Sequence, residues 1–330
     1  MFKNILIIAH TNIGDFCYDL VVVNPLRRQF PNAKIYVLTS SRAKDIADGY
    51  KGLDGVITFD KHAKDKGLLG RLGIMVALIK DRFDLVVVLK QTMMYRFLNI
   101  PNKWSLAKYL GRFQPEAGMH VADVFLDFLR FHNINIQKAK FDFAFNEEEN
   151  SFCDAFLIEE GIDDKDKVVG IHPFSGWSLK DWPIAKWNEL AKILKSKYSI
   201  KVINLSKRND FFSQRVLENI SDEIVSADET TLKQAMALIK RCSLFIGGDS
   251  SLVHLASCMG VETIGLYGPT AKIYPYFHYH NIITSQKRYH CMPCSPGFSR
   301  CREEKVQTSP CMESISLEDV LELVERKLDL

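Results

Sequence analysis

No apolar run in the 330 residues approaches the roughly 18 that a membrane-spanning helix requires, so no membrane span is expected. The opening Met1-Phe2-Lys3-Asn4 leads into Ile5–Ala9, too short a stretch for a signal-peptide core with its cleavage site. It reads instead as a buried strand, and a cytoplasmic location is expected. No strand-like segment is followed by GxGxxG, so a dinucleotide fingerprint is not supported. Net charge is scarce as well, at +3, which excludes wholesale nucleic-acid binding. Internal repeats and low-complexity tracts are absent.

That small charge is uneven. Residues 1–150 carry 21 Lys+Arg against 16 Asp+Glu, whereas the rest carry 22 against 24. A mildly basic first half suits an anionic acceptor or a membrane surface, and equally a solvated face. The eight cysteines, in a reducing compartment, argue against a disulfide scaffold.

Strand-like and helix-like segments alternate along the chain. Lys3–Ala9, Lys34–Leu38, Gly55–Phe59 and Leu85–Leu89 read as strands, and Asp15–Gln29, Gly67–Lys80 and Val121–Phe131 as helices. The rhythm weakens towards the acidic run Glu147-Glu148-Glu149. A junction is expected there, giving domains 1–150 and 151–330. A second series then begins with the strand Val168–His172, a helix Pro183–Lys197 and the strand Lys201–Leu205. It continues with the helix Leu232–Lys240, the strand Leu244–Ile246, a helix Ser250–Met259 and the strand Thr263–Tyr267. Ser316 caps a last helix, with Asp319 as the partner of a partial capping box. The pattern predicts an α/β protein of two doubly wound parallel sheets, facing each other across a ligand cleft at their strand ends.

Four motifs carry chemistry. His10-Thr11-Asn12-Ile13-Gly14-Asp15 links a strand to a helix. Gly14 permits close approach of a ligand, and the helix start offers free N–H groups. Asp15 fits a reactive acid or a plain helix cap. The segment from His172 to Pro183 is a second such link. Ser175, Gly176 and Ser178 suit phosphate contact there and Lys180 adds a cation, although a surface loop stapled by its tryptophans fits the same residues. In Gly247-Gly248-Asp249-Ser250-Ser251-Leu252-Val253-His254, the serines open a helix and His254 lies one turn on, on the same face. Asp249 caps that helix or orients its neighbours, and Gly268-Pro269-Thr270 could close the same site. Last come Cys291, Cys294, Cys301 and Cys311. Four cysteines in about twenty residues suit a structural zinc or iron bound by thiolates, or else free thiols in a loop.

Together these motifs resemble glycosyltransferase family 9, the ADP-heptose:lipopolysaccharide heptosyltransferases. The resemblance rests on Ile13-Gly14-Asp15 with Pro25-Leu26 and Phe30 to Ile35, on Lys180-Asp181-Trp182-Pro183, and on Asp249 to His254 with Gly260 and Gly268-Pro269-Thr270. It implies a GT-B fold, with an acceptor-binding N-terminal domain and a nucleotide-sugar-binding C-terminal one that carries the cysteine-rich loop 291–311 and a C-terminal helix. It implies inverting transfer of a heptose or similar sugar from an ADP-sugar to a lipopolysaccharide-core or related glycan acceptor, without a catalytic metal. Contact with the cytoplasmic face of the inner membrane would follow from a glycolipid acceptor.

By the same resemblance Asp15 would be the general base and Lys180 the diphosphate ligand. Asp249, Ser250, Ser251 and His254 would form the donor turn, with Asp210 on the donor ribose. The family often has threonine at Ser250 and glycine at Ser251. The cysteines are similar to an iron-holding set in autotransporter heptosyltransferases, which act on protein acceptors, though the spacing here is tighter. A nucleotide-sugar epimerase and a non-catalytic nucleotide-binding module are the rival readings.

Overall fold

The computed structural model describes residues 2–60, 65–80, 82–207, 219–270, 274–287, 289–294, 301 and 309–330. The chain divides into two compact units, Met1–Ala144 and Phe145–Leu330. The expected junction at residue 150 falls within a helix of the second unit.

The first unit holds a parallel sheet in the order β3-β2-β1-β4-β5. Its strands are β1 (Asn4–Ile8), β2 (Lys34–Thr39), β3 (Gly55–Thr58), β4 (Leu85–Val88) and β5 (Asn102–Ser105). All pair in parallel, with Ile5 of β1 set against Ile35 on one side and Leu85 on the other. β1 and β4 are near-continuous apolar runs because helices cover both faces of such a sheet. Leu6, Ile8, Leu38, Phe83, Val86 and Val88 form part of one core cluster.

The second unit holds a parallel sheet in the order β11-β10-β9-β6-β7-β8. Its strands are β6 (Val168–His172), β7 (Lys201–Asn204), β8 (Ile224–Ser226), β9 (Leu244–Gly248), β10 (Thr263–Tyr267) and β11 (Ile282–Thr284). Val169, Ile171, Trp187, Leu190, Ile246 and Ile264 anchor its core. In each unit the winding reverses beside the first strand, between β1 and β4 and again between β6 and β9. Ligands of open α/β sheets bind outside the strand ends at such reversals. The first motif follows β1, the second β6 and the third β9.

Local departures have physical causes. The helix expected over 15–29 is three pieces, Ile13–Asp19, a 3₁₀ turn Leu20–Val22, and Val23–Gln29. Pro25, lacking an N–H, falls in the first turn of the last piece, where no intrahelical donor is needed. The acidic run at 147–149 is no linker. It is the first turn of the helix Glu147–Glu159, with Asn146 and Glu149 closing a capping box. Ser316 does cap the last helix, Leu317–Leu328, through the N–H of Asp319. The Asp319 carboxylate, however, accepts from Gln286 Nε2 at 2.5 Å instead of completing a box.

Candidate functional site

The strand β9 runs to Gly248, two residues beyond the expected end, so both glycines lie inside the strand. Their missing side chains are used for packing. A Cβ on Gly247 would come within 2.6 Å of Val253 Cγ2, and one on Gly248 within 2.8 Å of the Lys180 carbonyl. The backbone of the second motif is thereby laid directly on β9.

That approach brings Lys180 to Asp249. Lys180 Nζ lies 2.6 Å from Asp249 Oδ2 and also donates to the Asp249 carbonyl at 3.3 Å. Thr270 Oγ1 donates to the same carboxylate oxygen at 2.6 Å, and His254 Nε2 stands 3.4 Å from the other. Burial alone would raise the Asp249 pKa. The hydrogen bond from His254, the charge and hydrogen bond of Lys180 and the Thr270 hydroxyl outweigh it, and hold the carboxyl well below its usual range. Asp249 is therefore a permanent anion that fixes the Lys180 ammonium.

Asp249 does not cap the following helix. The N-cap of Ser251–Cys258 is Ser250, and its hydroxyl is turned away from the helix N–H groups onto His172 Nδ1, 2.8 Å away. Burial pushes His172 down to about 4, so this imidazole is neutral at physiological pH. Ser251 is the first helical residue, and His254 is buried in the next turn. Ser175 Oγ donates to the Trp177 carbonyl at 2.7 Å and contacts Asp181 Oδ1 at 2.9 Å, so this hydroxyl is engaged within its own loop. Gly176 is exposed, with open space where a Cβ would stand. Asp210 lies outside the described residues.

In the first unit the N-cap of Ile13–Asp19 is Asn12, which places Gly14 and Asp15 in the first turn and removes Asp15 from the capping position. Asp15 is half-buried, and Asn12 Nδ2 donates to its Oδ2 at 3.4 Å. One turn deeper lies an acid that the motif reading passed over. Asp19 is 1% exposed and accepts from both the backbone N–H and the ring of His10. Burial lowers the His10 pKa, but the Asp19 carboxylate more than offsets this and leaves it raised. A charged residue inside Phe16-Cys17-Tyr18-Asp19-Leu20-Val21 was the available signal, since such a group is buried only with a partner.

The cysteines gather beside the Gly268 turn. Cys291 and Cys294 are half-buried, whereas Cys301 and Cys311 are buried. Burial, a hydrogen bond with the Cys291 thiol and the neighbouring Cys311 and Cys301 push the Cys294 thiol up to about 12. The Cys294 N–H donates to the Pro269 carbonyl at 2.8 Å. A Cβ on Gly268 would stand 3.0 Å from Cys311 Sγ. Among the described residues, no group of three or more His, Cys, Asp or Glu side chains is arranged to hold a metal ion.

The sequence profile of Glycosyltransferase family 9 (heptosyltransferase) matches residues 84–306. The chain belongs to that family. As a family 9 member it is a glycosyltransferase of the heptosyltransferase type. The matched span takes in the second and third motifs and three of the four clustered cysteines, but neither Cys311 nor the first motif. A lipopolysaccharide core heptosyltransferase of Haemophilus influenzae is 24% identical over 307 residues, 86% of this chain and 84% of the relative. A family 9 glycosyltransferase of Veillonella parvula superposes with a TM-score of 0.83 at 20% identity, covering 99% of this chain and 97% of that one. The E. coli ADP-heptose lipopolysaccharide heptosyltransferase II superposes with a TM-score of 0.74 at 18% identity, covering 99% and 98%. These likenesses, with the two parallel sheets, establish the GT-B class of two Rossmann-like domains. Among the described residues no helix is long and apolar enough to cross a membrane.

Proposed function

We propose that this family 9 enzyme transfers a heptose from ADP-heptose to a lipopolysaccharide-core acceptor, with inversion at the anomeric carbon. The observation that carries the donor half of this reading is the ion pair of Lys180 with Asp249 at the winding reversal of the second sheet. It presents a pre-oriented ammonium beside the start of the helix Ser251–Cys258, where free N–H groups and the helix dipole favour an anion. The E. coli relative named for ADP-heptose and the H. influenzae relative named for the lipopolysaccharide core support the choice of substrates.

In this reading the second unit binds the donor. Lys180, Ser250, Ser251 and His254 receive the diphosphate, with Asp249 holding Lys180 and His254 in place, and Ser175, Gly176 and Asp210 complete the nucleotide side. The first unit binds the acceptor, with Asp15 as its base, and contributes Gly14 to donor binding. Asp15 takes the acceptor proton as the oxygen forms its bond to the anomeric carbon. The bond from that carbon to the diphosphate breaks, and its electron pair leaves with the ADP. Preorganised positive charge at the departing diphosphate supplies the largest share of the rate. Cys291, Cys294, Cys301 and Cys311, which are not arranged as a ligand set as they stand, would have to draw together to hold a structural zinc or iron beside the Gly268 turn. Four thiolates suit either metal and leave no position for substrate. A glycolipid acceptor places the enzyme at the cytoplasmic face of the inner membrane.

The test is incubation with ADP-heptose and a heptose-deficient lipopolysaccharide core. The acceptor should gain one heptose by mass, with ADP released only when acceptor is present. Release of ADP and free sugar without acceptor would make the protein an epimerase-like hydrolase instead. Melting with ADP, UDP, GDP and CDP ranks the bases, because a ligand at 100 times its Kd adds about 2.7 kcal/mol.

A further inference from the structure

Asp181 directly follows Lys180, the diphosphate ligand of the donor reading, and its surroundings contain one proton too few for an ionised carboxylate. Asp181 Oδ1 accepts from the Ser175 N–H at 2.8 Å and lies 2.9 Å from Ser175 Oγ. That same Oγ lies 2.7 Å from the Trp177 carbonyl oxygen. A serine hydroxyl has a single proton to give, and a carbonyl oxygen can only accept. If Asp181 is ionised, one of the two short oxygen–oxygen contacts has no hydrogen in it, and two acceptors face each other. If Asp181 is a neutral acid, its own proton goes to Ser175 Oγ, the Ser175 proton goes to Trp177, and both contacts are hydrogen bonds.

We propose that Asp181 is a positioning residue that works as a neutral carboxylic acid, its proton latching the loop from Ser175 to Asp181 that carries Lys180. The inference rests on the donor reading above and assigns the latch beside its cation. The Ser175 N–H bond to Asp181 Oδ1 crosses the same loop, and the Trp177 N–H donates to Ser175 Oγ at 3.3 Å. Lys180 N donates to the Trp177 carbonyl, and Asp181 N to Ser178, within the turn itself. The one charged group facing Asp181 among those residues is Lys180, and the opposing Ser175 is uncharged. Burial dominates and pushes Asp181 up to about 7, against the Ser175 hydrogen bonds and the Lys180 charge. Ionisation would remove the acid's bond to Ser175 Oγ, leaving the Ser175 N–H as the remaining tie, and would add a negative charge next to the site of the diphosphate. The sign is fixed: a raised carboxyl pKa stabilises the latched loop at low pH, and that contribution is lost as pH rises through about 7.

The experiment compares wild type with Asp181→Asn, an amide that keeps the shape and stays neutral at every pH. ADP affinity is measured by calorimetry from pH 6 to pH 8.5, and the ratio of the two proteins cancels the titration of the nucleotide phosphates. Wild-type affinity should fall relative to Asp181→Asn by about tenfold between pH 6 and pH 8, the factor for a single proton with a midpoint near 7. Ser175→Ala, which removes the hydroxyl that receives the proton, should flatten this difference. Parallel pH profiles would overturn the proposal. The melting temperatures of the ligand-free proteins over the same range give a second readout. Wild type should lose stability relative to Asp181→Asn as pH rises through about 7, and parallel curves would again overturn it. If ADP binds neither protein at any pH, the donor reading fails, while the melting curves still decide whether Asp181 is neutral.

Discussion

His10 Nδ1 lies 2.9 Å from Oδ1 of Asp19, a carboxylate with 1% of its surface exposed. The His10 backbone N–H reaches Oδ2 of the same group at 2.5 Å, so Asp19 ties the end of β1 to the base of the first helix. His10 also stacks on Phe125 at 6.4 Å between ring centroids. Asp19→Ala should destabilise the first unit by about 2–3 kcal/mol, the range for a lost charge-assisted hydrogen bond that leaves its partner unpaired. Urea unfolding would measure it. Because the His10 pKa is raised, the pair contributes fully below the ordinary histidine value near 6.5, until Asp19, whose own pKa burial raises, takes up a proton. Its contribution is lost as pH rises through the higher folded value. An alanine variant with wild-type stability at pH 6 would show the pair to be dispensable.

The second prediction concerns Lys180 and its anchor. Lys180→Ala removes the cation offered to the diphosphate and should weaken ADP binding about tenfold or more, from roughly 1.5–3 kcal/mol for a charge-assisted hydrogen bond. Asp249→Asn leaves the cation but releases it from its fixed position, together with Thr270 Oγ1 and His254. It should cost ligand-free stability at neutral pH. The depressed Asp249 pKa means that its contribution is present above the ordinary carboxylate value and lost as pH falls below it. Calorimetry and melting on the two variants separate the binding role from the anchoring one. Unchanged ADP affinity in Lys180→Ala would remove this loop from the donor site.

A third prediction follows from the place of the thiols. Protein purified without chelators should carry about one zinc or iron per chain, read by elemental analysis. Since the cysteine segment touches Pro269 and Gly268, next to Thr270, removal of the metal should weaken ADP binding by less than Lys180→Ala does. Metal-free protein of full stability would show that the thiols pack as ordinary buried groups.

The strands were readable because parallel strands covered on both faces are unbroken apolar runs, as Val168–His172 and Thr263–Tyr267 illustrate. The short strands β5, β8 and β11 were not, since Asn102-Lys103-Trp104-Ser105 has no apolar run and is set only by pairing with β4. Of the site, the motifs were visible as residues at strand ends. What the residues do to one another was not. The contact of Lys180 with Asp249 spans 69 positions, and that of His172 with Ser250 spans 78. The first depends on Gly248 letting a distant loop onto β9 and the second on the pairing of β6 with β9, and no local spacing encodes either.

The last prediction separates the chemistry from the binding. Asp15 sits in the first turn of its helix, and Asn12, not Asp15, is the N-cap. Asp15→Asn therefore removes no cap. Asparagine keeps the shape and the contact with Asn12, but it cannot accept a proton at neutral pH. Folding and ADP affinity should stay close to wild type, because Asp15 belongs to the first unit and the ion-pair cluster to the second. Transfer should fall by about 10²–10⁴-fold, the usual contribution of general-base assistance. The loss should appear in kcat, with little change in donor KM, since the base acts on the acceptor oxygen as it attacks. Near-normal transfer by Asp15→Asn would exclude Asp15 as the base. His10, with Asp19 behind its Nδ1 and its ring partly exposed, would then be the group to substitute next.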